Sequence, residues 1–239
     1  MIAEPAQLAN KGVHEKVMSY FKGFKPGKVI DIPCGTGALS IVLDKMGYDV
    51  TPCDIHPEHM DVPGLKAQFC DMNKEFPFES ETFDCVACVE GIEHTENSYN
   101  AIREIARVLK PKGRLVLTTP NYLNIERRLK FLVTGSFSKP VTQERFETFY
   151  GKDTSGMHNS PMTYPMLKFM LESNNLKILS LEKERTKTRQ IFLYPFVLLI
   201  RFYTLLWAEK ERAKYLIDEV NSDTIINGGN NLVILCVKA

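Results

Sequence analysis

The chain has 239 residues and a mass of 27.3 kDa, room for one large domain or a core with a cap, and too little for two domains of ordinary size. Hydrophobic residues at 44% and charged residues at 25% are the proportions of a folded globular chain. A formal net charge of +1 excludes a global field that would draw nucleic acid or an anionic membrane, so any such contact has to be local.

Met1-Ile2-Ala3-Glu4-Pro5 lacks the basic start and apolar run of a secretory signal, which makes the cytoplasm the expected compartment. From Lys28 to about Thr119 short apolar runs alternate with longer helical patterns, the signature of βαβ units and a parallel sheet. Lys28 to Ile32 reads as the first strand, followed by a glycine turn and a helix from about Ala38 to Met46 closed by Gly47. Tyr48 to Cys53 reads as the second strand, ending at Asp54, and Lys66 to Cys70 as a shorter third, ending at Asp71. Phe83 to Val89 is almost continuously apolar, as a central strand covered on both faces should be. Cys85 and Cys88 within it have the spacing of a metal knuckle or redox pair. Three residues apart on a strand they point to opposite faces, so buried structural thiols are expected.

Ser98 to Leu109 carries apolar residues at helical spacing and stops at Lys110-Pro111-Lys112-Gly113, before a fifth strand from Arg114 to Thr119. Beyond Pro120, residues 121–160 hold a basic helical piece, Ile125 to Leu132, and a polar stretch. Pro165 to Ser173 then reads as a helix, Leu176 to Glu182 as a sixth strand, and Asn231 to Val237 as the last, after a second insertion at 183–227. The expected architecture is α/β, a doubly wound, mostly parallel sheet in a single domain over 1–239. Its core takes in about 25–120, 161–182 and 228–239, with cap insertions at about 121–160 and 183–227.

The strongest chemical signal is Asp31-Ile32-Pro33-Cys34-Gly35-Thr36-Gly37, a strand that enters a Gly-x-Gly turn and then a helix. Such a turn lets backbone approach a ligand with no Cβ in the way. Ser40 stands where a dinucleotide fingerprint has its third glycine, which disfavours NAD, and no Gly-Lys-Ser/Thr is present to cradle phosphate. Asp54 lies where an acid takes ribose hydroxyls, and Asp71 is placed for another polar edge of the same ligand. Acids ending strands one, two and three converge on one crevice if the strand order reverses there.

With these residues the chain resembles the class I S-adenosylmethionine-dependent methyltransferases, in particular the broad group of quinone-biosynthesis and sugar-modifying enzymes. Val89-Glu90-Gly91-Ile92-Glu93-His94, Asp71-Met72 and Leu109-Lys110-Pro111-Lys112-Gly113-Arg114 add to the likeness, which spans about residues 28–120. The resemblance implies a seven-stranded Rossmann-like sheet whose last strand is antiparallel and inserted beside the fifth. It implies S-adenosylmethionine as methyl donor and S-adenosylhomocysteine as product. Gly35 and Gly37 would pass under the methionine portion and ribose, Asp31 would hold the amino acid end, and Asp54 the ribose hydroxyls. Asp71 would bind the adenine amino group and the Met72 backbone a ring nitrogen. Pro33, Cys34, Thr36, Ile55, Val89 and Glu90 complete the expected cofactor set. A hairpin is usual between the sixth and seventh strands, and the long 183–227 segment departs from it.

Methyl transfer from a sulfonium needs an in-line nucleophile, and a base only where the acceptor is a hydroxyl or a protonated amine. His94 and His158 are the candidate catalytic residues, while His14, His56 and His59 look peripheral to the methyl position, though His56 follows Asp54 closely enough to line the cofactor cleft, and no metal is expected. The fourth strand does not run into an Asn-Pro-Pro-Tyr-like segment, and no basic stripe interleaved with aromatics suggests a nucleic-acid groove. The expected reaction is O-methylation of a small-molecule, sugar or lipid-linked acceptor. The alternatives are a non-catalytic adenosyl-binding regulatory module and an NAD-dependent oxidoreductase.

Ile191 to Trp207 is apolar and aromatic, is cut by Pro195 and Arg201, and follows Lys183, Arg185, Lys187 and Arg189. It falls short of the ~20 residues of a comfortable membrane span. A helix at a membrane interface is one reading of 183–207. The expectation is instead a helix whose aromatic face is buried as a cap over the site or in a homodimer contact.

Overall fold

The computed structural model describes residues 11–149 and 156–239; the reading of Met1 to Pro5 lies outside them. The elements run in the order α1 (Lys11–Lys22), β1 (Lys28–Asp31), α2 (Ala38–Lys45), β2 (Asp49–Asp54), β3 (Gln68–Phe69), β4 (Phe83–Cys88), α3 (Ser98–Val108) and β5 (Leu109–Pro120). There follow α4 (Ile125–Thr134), α5 (Gln143–Phe149), α6 (Tyr164–Glu172), β6 (Leu176–Lys183), α7 (Tyr194–Leu205), α8 (Glu209–Lys214), α9 (Ile217–Val220), α10 (Asp223–Ile226) and β7 (Asn231–Lys238).

The sheet has seven strands in the order β3-β2-β1-β4-β5-β7-β6. The strands from β1 to β5 pair in parallel, and β7 runs antiparallel between β5 and β6. After β3 the chain crosses to the far side of β1 to lay down β4, so the order reverses between β1 and β4. A ligand crevice opens at the carboxyl ends of strands at such a point.

Alternate side chains along each strand face opposite layers. Ile30, Val86, Leu115, Leu117 and Ile234 pack with α3 and α6 residues such as Ile102, Ile105 and Leu167. Val29, Ala87, Val116 and Val233 pack with Val13, Val17 and Phe21 of α1 and Leu39 and Leu43 of α2. Cys85 belongs to the second layer and Cys88 to the first, on opposite faces of β4. All six cysteines are buried and free.

Three elements differ from the sequence expectation. Helix α1 went unforeseen, although Val13, Val17 and Phe21 sit four apart on one face and are fully buried. Strand β3 shrinks to two residues because it is the sheet edge, with Phe69 exposed and only Cys53 and Asp54 to pair with. Strand β5 starts at Leu109, which pairs with Phe83 before the register shifts ahead of Cys85 and Arg114, so the Lys110 to Gly113 turn is absorbed within the strand.

The insertions meet at one small apolar cluster. Ile125 of α4, Val197 of α7 and Ile226 of α10 are buried together, with Leu129, Leu193 and Ile200 partly covered around them. Against its own chain α7 buries little else among the described residues: Phe196 and Phe202 stay exposed and are not packed as a cap. No helix among these residues is long and apolar enough to cross a membrane.

Candidate functional site

A cavity of about 500 Å³ opens at the carboxyl ends of β1, β2, β3 and β4, within the range of small-molecule sites. Asp31, Pro33, Cys34, Gly35, Thr36, Asp54, Ile55, Asp71, Met72, Val89, Glu90 and His94 all line it.

Asp31 ends β1 almost fully buried and accepts a 2.6 Å hydrogen bond from the Ser40 hydroxyl at the start of α2. Burial pushes its carboxyl up to about 7, the Ser40 bond opposing and the Asp54 charge assisting. Ser40, read as a missing glycine, thus supports the first acid. Asp54 closes β2 and accepts from two backbone N–H groups, Gly35 at 2.8 Å and His56 at 2.9 Å. A carboxylate has about four acceptor positions, so capacity for further donors remains. Asp71 accepts at Oδ1 from the Asn73 backbone and side-chain amides, at 2.9 and 3.1 Å, and lies 3.3 Å from Lys74 Nζ. Burial alone would raise its carboxyl, but the Asn73 amide and Lys74 hold it below the usual range.

Two glycines act differently from one another. Gly37 does not line the cavity: it is the N-cap of α2 at φ 84°, and a Cβ there would lie 2.7 Å from Val62 and 2.9 Å from Met60. Glycine is required there because a side chain at Gly37 would meet protein. Gly91 lines the cavity and was not in the expected cofactor set. A Cβ on it would stand 2.1 Å from Cδ of Pro33, so only glycine lets the loop after β4 close against the loop after β1.

The far wall is built by the single 3-10 turn Ile92–His94 and the segment after the first insertion. The Ser160 backbone N–H donates to the Glu93 carbonyl, the Ser160 hydroxyl to the Thr95 carbonyl and the Asn159 amide to the His94 carbonyl. His94 Nδ1 donates to the Met157 carbonyl at 2.9 Å, which places the proton there and leaves Nε2 as the acceptor of a neutral ring. Burial lowers the pKa of His94, the Met157 carbonyl opposing. His158 does not line the cavity; it packs edge-on against His94 with ring centroids 4.9 Å apart, and its Nδ1 is 3.1 Å from the Tyr122 hydroxyl. Burial, with His94 and Arg127, lowers His158 as well.

Sequence reasoning passed over three features of the site. Glu93 is almost fully buried, its carboxyl is pushed up to about 8 by burial, and its Oε2 has no hydrogen-bond partner among the described residues. Ligand atoms of Glu93, His94 and His158 lie within 4.8 Å of one another, a set able to hold a cation. His14 of α1 and His59 also line the cavity, beside His56, which the sequence did place at the cleft. The two latter rings stack 5.1 Å apart. The Glu-Gly-Ile-Glu-His run was the available signal for Glu93, whereas only tertiary packing brings His14 in.

Residues 30–117 match a family model described as a methyltransferase domain. The ubiquinone biosynthesis O-methyltransferase of Xanthomonas oryzae pv. oryzae is 34% identical over 103 residues, 39% of this chain and 43% of that protein. That of Colwellia psychrerythraea is 28% identical over 188 residues, 68% of this chain and 74% of that protein. The chain therefore spans less than half the length of the first relative. A SAM-dependent methyltransferase structure from Archaeoglobus fulgidus aligns with a TM-score of 0.59 at 17% identity, covering 95% of this chain and 93% of that one. Haemonchus contortus phosphoethanolamine N-methyltransferase 2, solved with S-adenosyl-L-methionine, gives 0.54 at 15% identity, covering 96% and 53%. At those identities the likeness is one of fold.

Proposed function

We propose that this chain, by domain and fold a class I S-adenosylmethionine-dependent methyltransferase, methylates a hydroxyl oxygen of a small-molecule, sugar or lipid-linked acceptor. The observation that carries the reading is the convergence of Asp31, Asp54 and Asp71, from the ends of three strands, on one cavity floored by the Gly35 turn. The ubiquinone O-methyltransferases it resembles favour oxygen as the atom methylated.

The residues fit the methyl donor. S-adenosylmethionine supplies a methyl group on a positively charged sulfur. Asp54 accepts the ribose hydroxyls, Asp71 the adenine amino group, and the Met72 backbone meets the adenine ring. Asp31 faces the amino acid end, where an ammonium group would restore the ionised form that burial disfavours. Cys34, Gly35 and Thr36 bring backbone against the donor, while Pro33, Ile55, Val89 and Glu90 wall it in. Insertions 121–160 and 183–227 act as the acceptor-side cap. His94 Nε2, neutral near pH 7, takes the acceptor hydroxyl proton as the oxygen attacks in line, and His158 with Tyr122 holds the ring in place.

Incubation with methyl-labelled S-adenosylmethionine and cell extract tests this. The expected result is a labelled small molecule or lipid carrying an O-methyl group. Protein that retains S-adenosylmethionine but labels nothing would support the non-catalytic binding module. His94→Asn should keep donor affinity within about threefold and lower transfer by roughly 10²–10⁴. Undiminished transfer removes His94 from the reaction.

A second reading rests on the unpartnered Glu93 oxygen. Glu93, His94 and His158 would then hold a divalent cation against the acceptor oxygen, with the His94 lone pair in a metal bond. Transfer abolished by a chelator and restored by a divalent salt favours this reading; transfer indifferent to chelator favours the base.

A further inference from the structure

The two insertions place apolar side chains on the outside of the molecule. Phe192 is 82% exposed, and Ile191, Leu198, Leu199, Phe202 and Leu206 are exposed around it. Helix α4, packed against this segment, adds Leu132 and Val133 at 80% and 83%. Scattered exposed apolar residues are ordinary, but a concentration on one pair of helices marks a surface that something covers.

The charge around it is as uneven. Residues 125–139 and 185–208 hold eight basic side chains and one acid, Glu126, in a chain of net charge +1. Lys187 pairs with Glu126, while Arg128 and Arg201 turn inward to Val220 and Asn221. Lys130, Lys139, Arg185 and Arg189 are exposed, Arg185 with Glu184 at 3.5 Å. Lys183, also counted in the basic flank, is taken up by Asp223.

These features select the occupant. A two-fold interface between copies sets the same patch against itself, and here would bring like charges together. A negatively charged partner is required, and the apolar ridge asks that it also accept aliphatic and aromatic side chains. An anionic bilayer does both. Helix α7, 12 residues and so about 18 Å long, is too short to cross one but long enough to lie in it. Tyr203 near its far end, Trp207 just beyond it and Tyr215 at the end of α8 stand in edge-on contact, residue types that favour the headgroup level.

We propose that α4 and the 188–207 segment form a membrane-docking face that seats in the headgroup layer of an anionic bilayer, with α7 lying in the interfacial plane. Helix α4 follows the carboxyl end of β5, and the second insertion leaves β6 and enters β7 at the same sheet edge. That edge carries the cavity, so docking brings the site to the surface where an amphiphilic acceptor resides.

Co-sedimentation with phosphatidylcholine vesicles, with and without phosphatidylglycerol, tests the proposal. The full chain should bind the anionic vesicles at low salt, lose them at high salt, and bind neutral vesicles far more weakly. Arg185→Gln with Arg189→Gln should weaken binding about thirtyfold. Phe192→Glu with Leu199→Glu should abolish it, with both variants melting as the parent does, because the altered side chains are exposed. Failure to bind anionic vesicles, equal binding to neutral ones, or a dimer in sedimentation velocity that Phe192→Glu dissociates would each overturn it. None of these readouts depends on whether methyl transfer is observed.

Discussion

Replacing Asp54 by alanine separates the structural task of its carboxylate from the ribose contact proposed for it. Oδ2 accepts the Gly35 N–H at 2.8 Å and Oδ1 the His56 N–H at 2.9 Å, so the side chain ties the glycine turn to the end of β2. Gly35 and His56 are both partly exposed, so water can replace the lost acceptor and the stability cost should stay near 1 kcal/mol, a fall of ~2–4 °C in Tm. The loss in donor binding should be larger. Two ribose hydroxyls donating to a buried carboxylate are worth roughly 1.5–3 kcal/mol each, so Asp54→Ala should weaken binding by about two to four orders of magnitude. Titration calorimetry with S-adenosylhomocysteine measures this directly, with thermal melting of the ligand-free variant as the control for folding. A folded variant whose affinity stays within about threefold of the parent would refute the ribose assignment.

Asp71→Ala should cost only about tenfold in the same titration, because the lost contact is a single bond to the adenine amino group; a loss as large as that of Asp54→Ala would put the ribose at Asp71 instead. Gly91→Ala should destabilise the fold by ~1–3 kcal/mol in urea, since its Cβ would sit 2.1 Å from Pro33; unchanged stability would mean that the two loops part freely. Asp31 titrates near 7 in the fold against an ordinary 3.8. Folding therefore binds its proton, and its contribution to stability is full below 3.8, declines as pH rises toward 7 and is flat above. Asp31→Asn, which keeps an acceptor for Ser40, should thus gain Tm relative to the parent as pH rises from 5 to 7 while losing donor affinity. Melting curves that run parallel across that range would contradict the buried charge.

Most of the sheet was legible because strands covered on both faces leave a strong trace. The almost unbroken apolar run from Phe83 to Cys88, and the acids that stop β1, β2 and the third run, marked both the strands and the edge on which the cavity opens. Strand β3 was read too long because an edge strand with one partner is limited by pairing, not composition. Helix α7 is the opposite case. Leu, Phe and Val at that density read as buried, and only the structure shows that Val197 alone is fully covered along it.

The site divides along a similar line. Its donor side could be read because register converts a strand-end position into a place: Asp31, Asp54 and Asp71 are far apart in sequence but adjacent at one sheet edge. Its acceptor side could not. The segment at 157–160 is held to 93–95 by the Ser160 N–H and by the side chains of His94, Asn159 and Ser160, each donating to a main-chain carbonyl, an acceptor that every residue carries and no motif records. The identity of His94 was visible, but its protonated nitrogen was not, because that is set by the carbonyl of Met157, 63 residues away. The same contact means that a change in the backbone path of the 157–160 segment would re-aim the His94 ring without altering any side chain of the donor site. Donor binding and methyl transfer should therefore respond independently to substitutions in this wall, and a variant such as Ser160→Ala, which removes the bond to the Thr95 carbonyl from outside the cavity, is expected to lower transfer while leaving S-adenosylhomocysteine affinity unchanged.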